Sequence, residues 1–314
     1  MDWSALRNTG CEVRECAPLC DYTTFRLGGP CSVLITCETP AALVEAVRDV
    51  ARGGRPFHLI GGGSNLLVSD KGVDAVIIRY CTTVCNPRYA QEVVEVSGSV
   101  GLDDLVVSTI SQGLDGLVFA SGIPGTIGGA IAGNAGAFGK QIGDVMVSAT
   151  LLSREGQLSE VARDAFDFSY RHSRLHESGD ILVSARLRLA PGDKETLSAE
   201  RQRILQLRRE RHPDWHTQAT AGSFFRNIEP TSAAGRRQAA GWFLEQAGAK
   251  TMRVGGAHVF EKHANIIIAE KDATASDVLT LSEMMAAAVK HMFSQELHRE
   301  VRLLGVFDHA DKSC

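Results

Sequence analysis

Between residues 121 and 139 the chain carries glycine at 122, 125, 128, 129, 133, 136 and 139, with mostly small residues between them. Side chains are scarce there, so the backbone is the working surface. Glycine reaches positive φ and lets a bulky ligand lie against bare N–H groups, which suggests a phosphate or cofactor cradle. The plainer reading is a tight turn followed by a close-packed helix of small residues, but the density of glycines favours the ligand. A second loop, Gly61-Gly62-Gly63-Ser64-Asn65, follows a short apolar run and could hold a pyrophosphate in a nest of N–H groups. It is no dinucleotide fingerprint, because Leu66 stands where the third glycine belongs and the residues after it read as a turn instead of a helix. A plain glycine loop fits that stretch equally well.

Three further groups could carry chemistry. Phe166, Phe168, Ser169, Tyr170, Arg171, His172 and Ser173 gather aromatics, hydroxyls and a guanidinium between two strand-like runs, as edge packing or as the wall of a site. Arginines at 201, 203, 208, 209 and 211 sit on a charged helical run that reads as a solvated face, from which an anion could draw one or two. The eight cysteines include no Cys-x-x-Cys pair and no neighbouring histidines. Reduced structural thiols fit better than a disulfide framework or a metal site, although Cys16 with Cys20 and Cys81 with Cys85 share a usable spacing.

The elements that must position these groups alternate. Residues 1–22 read as a polar lead-in, followed by a strand at 31–37 and a helix opened by Thr39 and Pro40, with Leu43, Val44, Val47 and Val50 at helical spacing. Strands are expected at 56–60, 75–79 and 93–97, then a helix at 102–112 leading to the glycine run. Strands at 145–152 and 181–189 follow it. The charged helix at 194–211 is the expected linker to a second domain, holding a helix at 235–248, a strand at 264–269, a helix at 276–292 with its methionines in the core, and a closing strand at 300–307.

At 314 residues the length suggests about two domains. With 33 basic against 37 acidic residues there is no global field for a nucleic-acid backbone. No apolar run reaches the ~20 residues of a bilayer span and the first residues lack the order of a signal peptide, so a cytoplasmic protein is expected.

Taken together, Thr23-Thr-Phe-Arg-Leu-Gly-Gly-Pro30, the Gly61 loop, residues 122–130 with Asn134-Ala-Gly-Ala137, Tyr170-Arg-His-Ser173, Ala221-Gly-Ser-Phe-Phe-Arg-Asn227, residues 255–265 and Glu300-Val-Arg302 resemble the UDP-N-acetylenolpyruvoylglucosamine reductases, also called MurB. The glycine motifs alone indicate only the broader flavin fold of the vanillyl-alcohol-oxidase class, while the C-terminal set belongs to the reductases. The resemblance implies an α+β fold, with a two-lobed FAD-binding domain of the vanillyl-alcohol-oxidase/PCMH type over 23–192 and an α+β substrate domain over 193–314. It implies noncovalent FAD, NADPH as reductant, a UDP-sugar enolpyruvyl ether as substrate, and a monomer making a peptidoglycan precursor in the cytoplasm. No membrane or nucleic-acid partner and no metal are expected.

Carried over motif by motif, Arg26, Gly61, Gly62, Gly63, Ser64, Asn65, Leu66, Ser121, Gly122, Ile123, Pro124, Gly125, Thr126, Gly128, Gly129, Ala130, Asn134 and Gly136 would hold FAD. Ser223 would donate a proton to C2 of the substrate after hydride reaches C3, and Arg171 with Glu300 would stabilise the enolate-like charge between those events. Tyr170, Asn227, Lys250, His258 and Arg302 would bind substrate. Two positions depart from the family pattern: His258 stands where Gln is frequent, and Arg226 where Lys is usual. The short interval between Arg171 and Ser223 resembles the compact type II members. The rival readings are an oxidase of the same flavin fold, which needs no Ser223, Lys250 and Glu300 together, and a flavin-binding module without chemistry.

Overall fold

A computed structural model of the chain describes residues 3–230 and 236–308. The chain divides into two compact units, Met1–Ala17 with Ser32–Gly62 and Ala75–Leu207, and Pro18–Cys31 with Gly63–Asp74 and Arg208–Cys314. The first change of unit after the strand at 57–60 falls inside the Gly61 loop.

The first unit holds two larger sheets, each with its own core, beside two-stranded pairings. Cys31–Cys37 is mostly apolar and buries both faces, as a central strand requires. It shares a sheet with Glu12–Glu15, Val73–Tyr80 and Phe57–Ile60, the last two running parallel. The helix Pro40–Arg52 starts where the sequence indicates, since the Thr39 hydroxyl accepts the Ala42 N–H at 3.2 Å and proline occupies the first turn. Its Leu43, Ala46, Val47 and Val50 complete the core. The second sheet is antiparallel, ordered Leu158–Ala162, Met146–Leu152, Ile181–Arg188, Val93–Ser97 and Arg88–Ala90. Leu102–Ser111 packs there through Leu102, Leu105, Val106 and Ile110.

The stretch expected as a polar lead-in contributes a strand. Glu12–Glu15 pairs antiparallel with the Cys31–Cys37 strand, Val13 opposite Ile35. Only Val13 of its four residues is buried, and the charges beside it hide the alternation. Lys194–Arg211 is a helix over the expected span and buries only Leu197 and Ile204. Arg201 leaves the solvated face that sequence assigned it: with a side chain 16% exposed, it forks onto the Asp103 carboxylate, one arm at 2.8 Å.

The second unit is built on the short antiparallel strands Arg253–Val254, Ala257–Val259 and Ile267–Ala269 and the helices Ala240–Gln246 and Ala275–Phe293. Leu66–Val68 and Arg302–Leu304 pair in parallel. The long helix opens with a reciprocal cap between Thr274 and Asp277, and Asp70 accepts the Ala275 and Ser276 N–H groups. Val278, Leu281, Met285 and Val289 are buried, whereas Met284 and Met292 are 46% and 56% exposed. The expectation that all these methionines are core is therefore corrected: Met284 is one position off the buried stripe, and Met292 lies in the last turn. Gly235, the expected start of the shorter helix, lies outside the described residues, as do Met1, Asp2 and the positions after 308, Cys314 among them. Of the other seven cysteines, Cys11, Cys31 and Cys37 are buried.

His212 and His263 stack in this unit with ring centroids 5.5 Å apart. Burial, followed by the neighbouring His263, pulls the His212 pKa from 6.5 down to about 4, and burial lowers that of His263. Unfolded His212 takes its proton near 6.5 and folded His212 resists until about 4, so stability is lost as pH falls through that window. Denaturant unfolding at pH 7.5 and 4.5 should show His212→Gln recovering ~1–2 kcal/mol of the acid-induced loss, discounted for the partly exposed ring. An identical acid loss in wild type and variant would contradict this.

Candidate active site

The residues expected to act divide between the units. In the first unit, the Gly61 loop and the glycine run meet backbone to backbone. A Cβ on Gly61 would stand 2.5 Å from the Thr126 hydroxyl, and one on Gly62 would stand 3.2 Å from the Gly125 Cα. Thr126 caps the short helix Ile127–Ala132 by accepting the Gly129 N–H at 3.3 Å. Gly128 donates to the Gly98 carbonyl at 2.9 Å, and Ala130 is buried. Ser121 is also buried, its hydroxyl on the Val118 carbonyl; Ile123, Pro124 and Gly125 are half-buried. The Gly122 N–H is held at 2.7 Å by Asp103, the same carboxylate that grips Arg201. An acid in the first turn of a helix gave no sequence signal of that role.

Gly61, Gly62 and Gly125 are half-buried and Gly129 is exposed, so part of their backbone reaches solvent. Such a surface fits a diphosphate-bearing cofactor, which takes N–H donors and needs close approach. Asn134 is engaged internally instead. It is 1% exposed, its amide donates to the Ser169 carbonyl and Gln141, and its oxygen accepts the Gly143 N–H.

Ser169 and His172 exchange backbone hydrogen bonds, so Tyr170 and Arg171 form the tip of a tight turn, Arg171 at φ +54°. Ser173 is buried and donates to the Ala132 carbonyl at 2.8 Å. Arg171 reaches the Gly136 carbonyl at 2.9 Å, and its guanidinium carbon lies 5.6 Å from the Tyr170 ring centre. The turn is thus fastened to the glycine run at three points, and the guanidinium is held beside the cradle.

In the second unit, Gly63 adopts φ +65° with Tyr22 so close that a Cβ would stand 1.9 Å from its carbonyl oxygen. Ser64 is half-buried and Asn65 exposed. The Asn65 amide donates to the Glu300 carbonyl at 3.1 Å, and its own carbonyl accepts the Arg302 N–H at 3.1 Å, which sets the register of Leu66 beside Arg302. Glu300 in turn donates its N–H to the Phe224 carbonyl at 2.8 Å. Phe224 donates to the Asn265 carbonyl at 2.8 Å, and Ser223 bridges Ile266. The half-buried Ser223 therefore lies in a segment held between the Glu300 and Asn265 segments. Arg26, exposed at φ +54°, points its guanidinium at the Trp215 and His216 carbonyls.

The other expected substrate residues are more dispersed. Asn227 is exposed and accepts the Ala240 N–H, capping a helix. Lys250 pairs with Glu245 at 2.6 Å, and His258 Nδ1 lies 3.4 Å from Glu270. Arg302 reaches solvent, yet the packing around its guanidinium and then the cation Arg226 lower its pKa. Asn265, absent from the sequence-based candidates, is a lone amide in an apolar run, which was a readable signal.

The family model for the UDP-N-acetylenolpyruvoylglucosamine reductase C-terminal domain matches residues 214–304, and that for an FAD binding domain matches residues 31–162. The reductase of Bacillus velezensis is 34% identical over 295 residues, covering 94% of each chain. That of Heliobacterium modesticaldum is 35% identical over 288 residues, 92% of this chain and 89% of the relative. The crystal structure of UDP-N-acetylenolpyruvylglucosamine reductase (MurB) from Thermus caldophilus matches with a TM-score of 0.76 at 30% identity, over 94% of this chain and 99% of the other.

The chain belongs to the UDP-N-acetylenolpyruvoylglucosamine reductase family. It is an α+β oxidoreductase whose FAD-binding domain precedes the reductase C-terminal domain. Among the described residues no helix is long and apolar enough to cross a membrane.

Two glycines separate close approach from strain alone. Gly63→Ala should abolish FAD retention or folding, because the methyl group meets backbone. Gly139, at φ +78° with nothing within 4 Å of a Cβ position, should tolerate alanine at ~1 kcal/mol with FAD retained. The bound flavin absorbance and the unfolding midpoint of each variant check this; equal behaviour would contradict it.

Proposed function

We propose that this chain reduces the enolpyruvyl ether of UDP-N-acetylglucosamine to UDP-N-acetylmuramate with NADPH as the electron source, a step of peptidoglycan precursor synthesis. In this reading residues 23–192 serve the cofactor and residues 193–314 the substrate. The observation that carries it is the pairing within the second unit, where Ser223 and Glu300 occupy neighbouring hydrogen-bonded segments. The glycine loops at 61–63 and 122–129 would hold FAD, whose chemistry there would be hydride transfer from NADPH to C3 of the enolpyruvyl group.

The protein's part is to manage the charge and the proton. Once C3 gains hydride, negative charge develops across C2 and the carboxylate, and a donor is needed at C2. Ser223 fills that role: a serine hydroxyl is a weak acid, but an enolate is basic enough to take its proton. Arg171, fastened beside the cradle, can present two parallel N–H groups to the substrate carboxylate. Glu300 orients a proton or donates one, and its backbone ties the Ser223 segment to Asn65. Tyr170, Asn227, Lys250, His258 and Arg302 bind the UDP-sugar. Lys250 would exchange Glu245 for substrate oxygens, and Asn227, whose oxygen accepts the Ala240 N–H, would donate to the substrate through its amide nitrogen.

Ser223→Ala should leave NADPH-dependent bleaching of the cofactor within about twofold of wild type and slow its substrate-dependent recovery ~10²-fold or more. Anaerobic stopped-flow absorbance separates the two half-reactions. Wild-type recovery in the variant would remove Ser223 from the chemistry.

A further inference from the structure

We propose that Asn265 is the positioning residue of Ser223, its side-chain amide acting as a surrogate strand that fixes the serine segment at the distance proton transfer requires. This rests on the reading of Ser223 as proton donor.

Asn265 is 2% exposed and sits among Ala264, Ile266, Ile267 and Ile268, all buried. A primary amide in such surroundings is destabilising by ~1–3 kcal/mol unless its donor and acceptor are both met. Both are met by a single residue. The Asn265 oxygen accepts the Phe225 N–H at 2.9 Å, and the Asn265 amide nitrogen donates to the Phe225 carbonyl at 2.8 Å. These are the two bonds that another strand would give Phe225, supplied here by one side chain.

The main chain of Asn265 adds a third bond, from Phe224 N–H to its carbonyl at 2.8 Å. Its own N–H donates to His263 Nδ1 at 3.2 Å, so that nitrogen is an acceptor and the His263 proton resides on Nε2. From the opposite side Glu300 donates to the Phe224 carbonyl. Both polar backbone groups of Phe224 and of Phe225 are thereby committed, and the two rings are 0% and 2% exposed.

Ser223 stands immediately before this locked pair. On its other side Gly222 takes φ +75° with nothing within 4 Å of a Cβ position, and its N–H donates to the Thr220 hydroxyl at 3.2 Å. The open, glycine-flanked side gives Ser223 little steric guidance, so the Asn265 clamp, together with the Ser223–Ile266 bridge, fixes where its Cα sits. Proton transfer to carbon is intolerant of misplacement, and a shift of ~1 Å costs ~10²-fold.

The test uses FAD-loaded wild type, Ser223→Ala, Asn265→Ala, Asn265→Asp and the double variant Ser223→Ala/Asn265→Ala, with NADPH and the UDP-sugar enolpyruvyl ether. Asn265→Ala should keep NADPH-dependent bleaching within about twofold, slow substrate-dependent recovery ~10- to 10²-fold, and speed amide hydrogen exchange in residues 222–227. The double variant should be no slower than Ser223→Ala alone, because a displaced donor and a missing donor are the same defect. Asn265→Asp keeps the shape and covers the case in which the alanine variant fails to fold. Its buried carboxylate cannot donate to Phe225 when ionised but can when protonated, so its recovery rate relative to wild type should rise as pH falls from 9 to 6. His212, which packs behind it and whose pKa burial pulls down to about 4, stays neutral over that range, and burial also lowers the pKa of His263 beside it; Lys250, Glu245, Arg208 and Arg211 also face this pair. Wild-type recovery in the Asn265 variants beside a slow Ser223→Ala would overturn the positioning role and leave the proton donor standing. Wild-type recovery in Ser223→Ala would remove both, and a double variant slowed by the product of the two single effects would show that Asn265 acts by another route.

Discussion

Gly62 and Gly125 bring two loops together so closely that one methyl carbon on the first would stand 3.2 Å from the Cα of the second. The approach is possible only because neither residue has a side chain, and it creates the bare surface on which a diphosphate can be received. Around it, side chains are turned to holding loops in place. Asp103 grips both the Gly122 N–H and Arg201, Asn134 spans Gln141, Gly143 and Ser169, and Ser173 fastens the Arg171 turn to Ala132. The polarity of this region is therefore divided. Backbone is left open along the glycine loops, and most polar side chains face the backbone.

The second unit is organised differently. Its candidate site residues are aligned by hydrogen bonds running from the Asn65 side chain through the main chain of Glu300 and Phe224 to that of Asn265. A single displaced bond in that row moves Ser223 relative to Glu300, and both phenylalanines beside the serine are buried, which stiffens the row. Rigidity at this point suits a reaction in which charge appears briefly on substrate carbon and has to be met by groups already in place.

Much of this was legible in the sequence. Thr39 followed by Pro40 marked a helix start, and the charged helix occupies its expected span. The glycine loops announced themselves by density. What stayed hidden depends on partners distant in the chain. Ser223 and Glu300 are neighbours only because two short segments, neither of them a long periodic strand, pair across the fold. Glu12–Glu15 carries one inward residue among three charged ones, so its strand period cannot be seen. Arg201 looks like its solvated neighbours until Asp103 is brought to it. Asn265 was visible as an amide among isoleucines, but its purpose depends on Phe225, 40 positions away.

The central claim is that electrons taken from NADPH leave through the enolpyruvyl ether. Its most direct test is anaerobic: bleach the flavin absorbance of the purified holoprotein with one equivalent of NADPH, then add one equivalent of UDP-N-acetylglucosamine enolpyruvyl ether. The account predicts rapid return of the oxidised spectrum without oxygen, with one equivalent of UDP-N-acetylmuramate formed. A spectrum that stays bleached until air is admitted, with the enolpyruvyl ether unchanged, would contradict it.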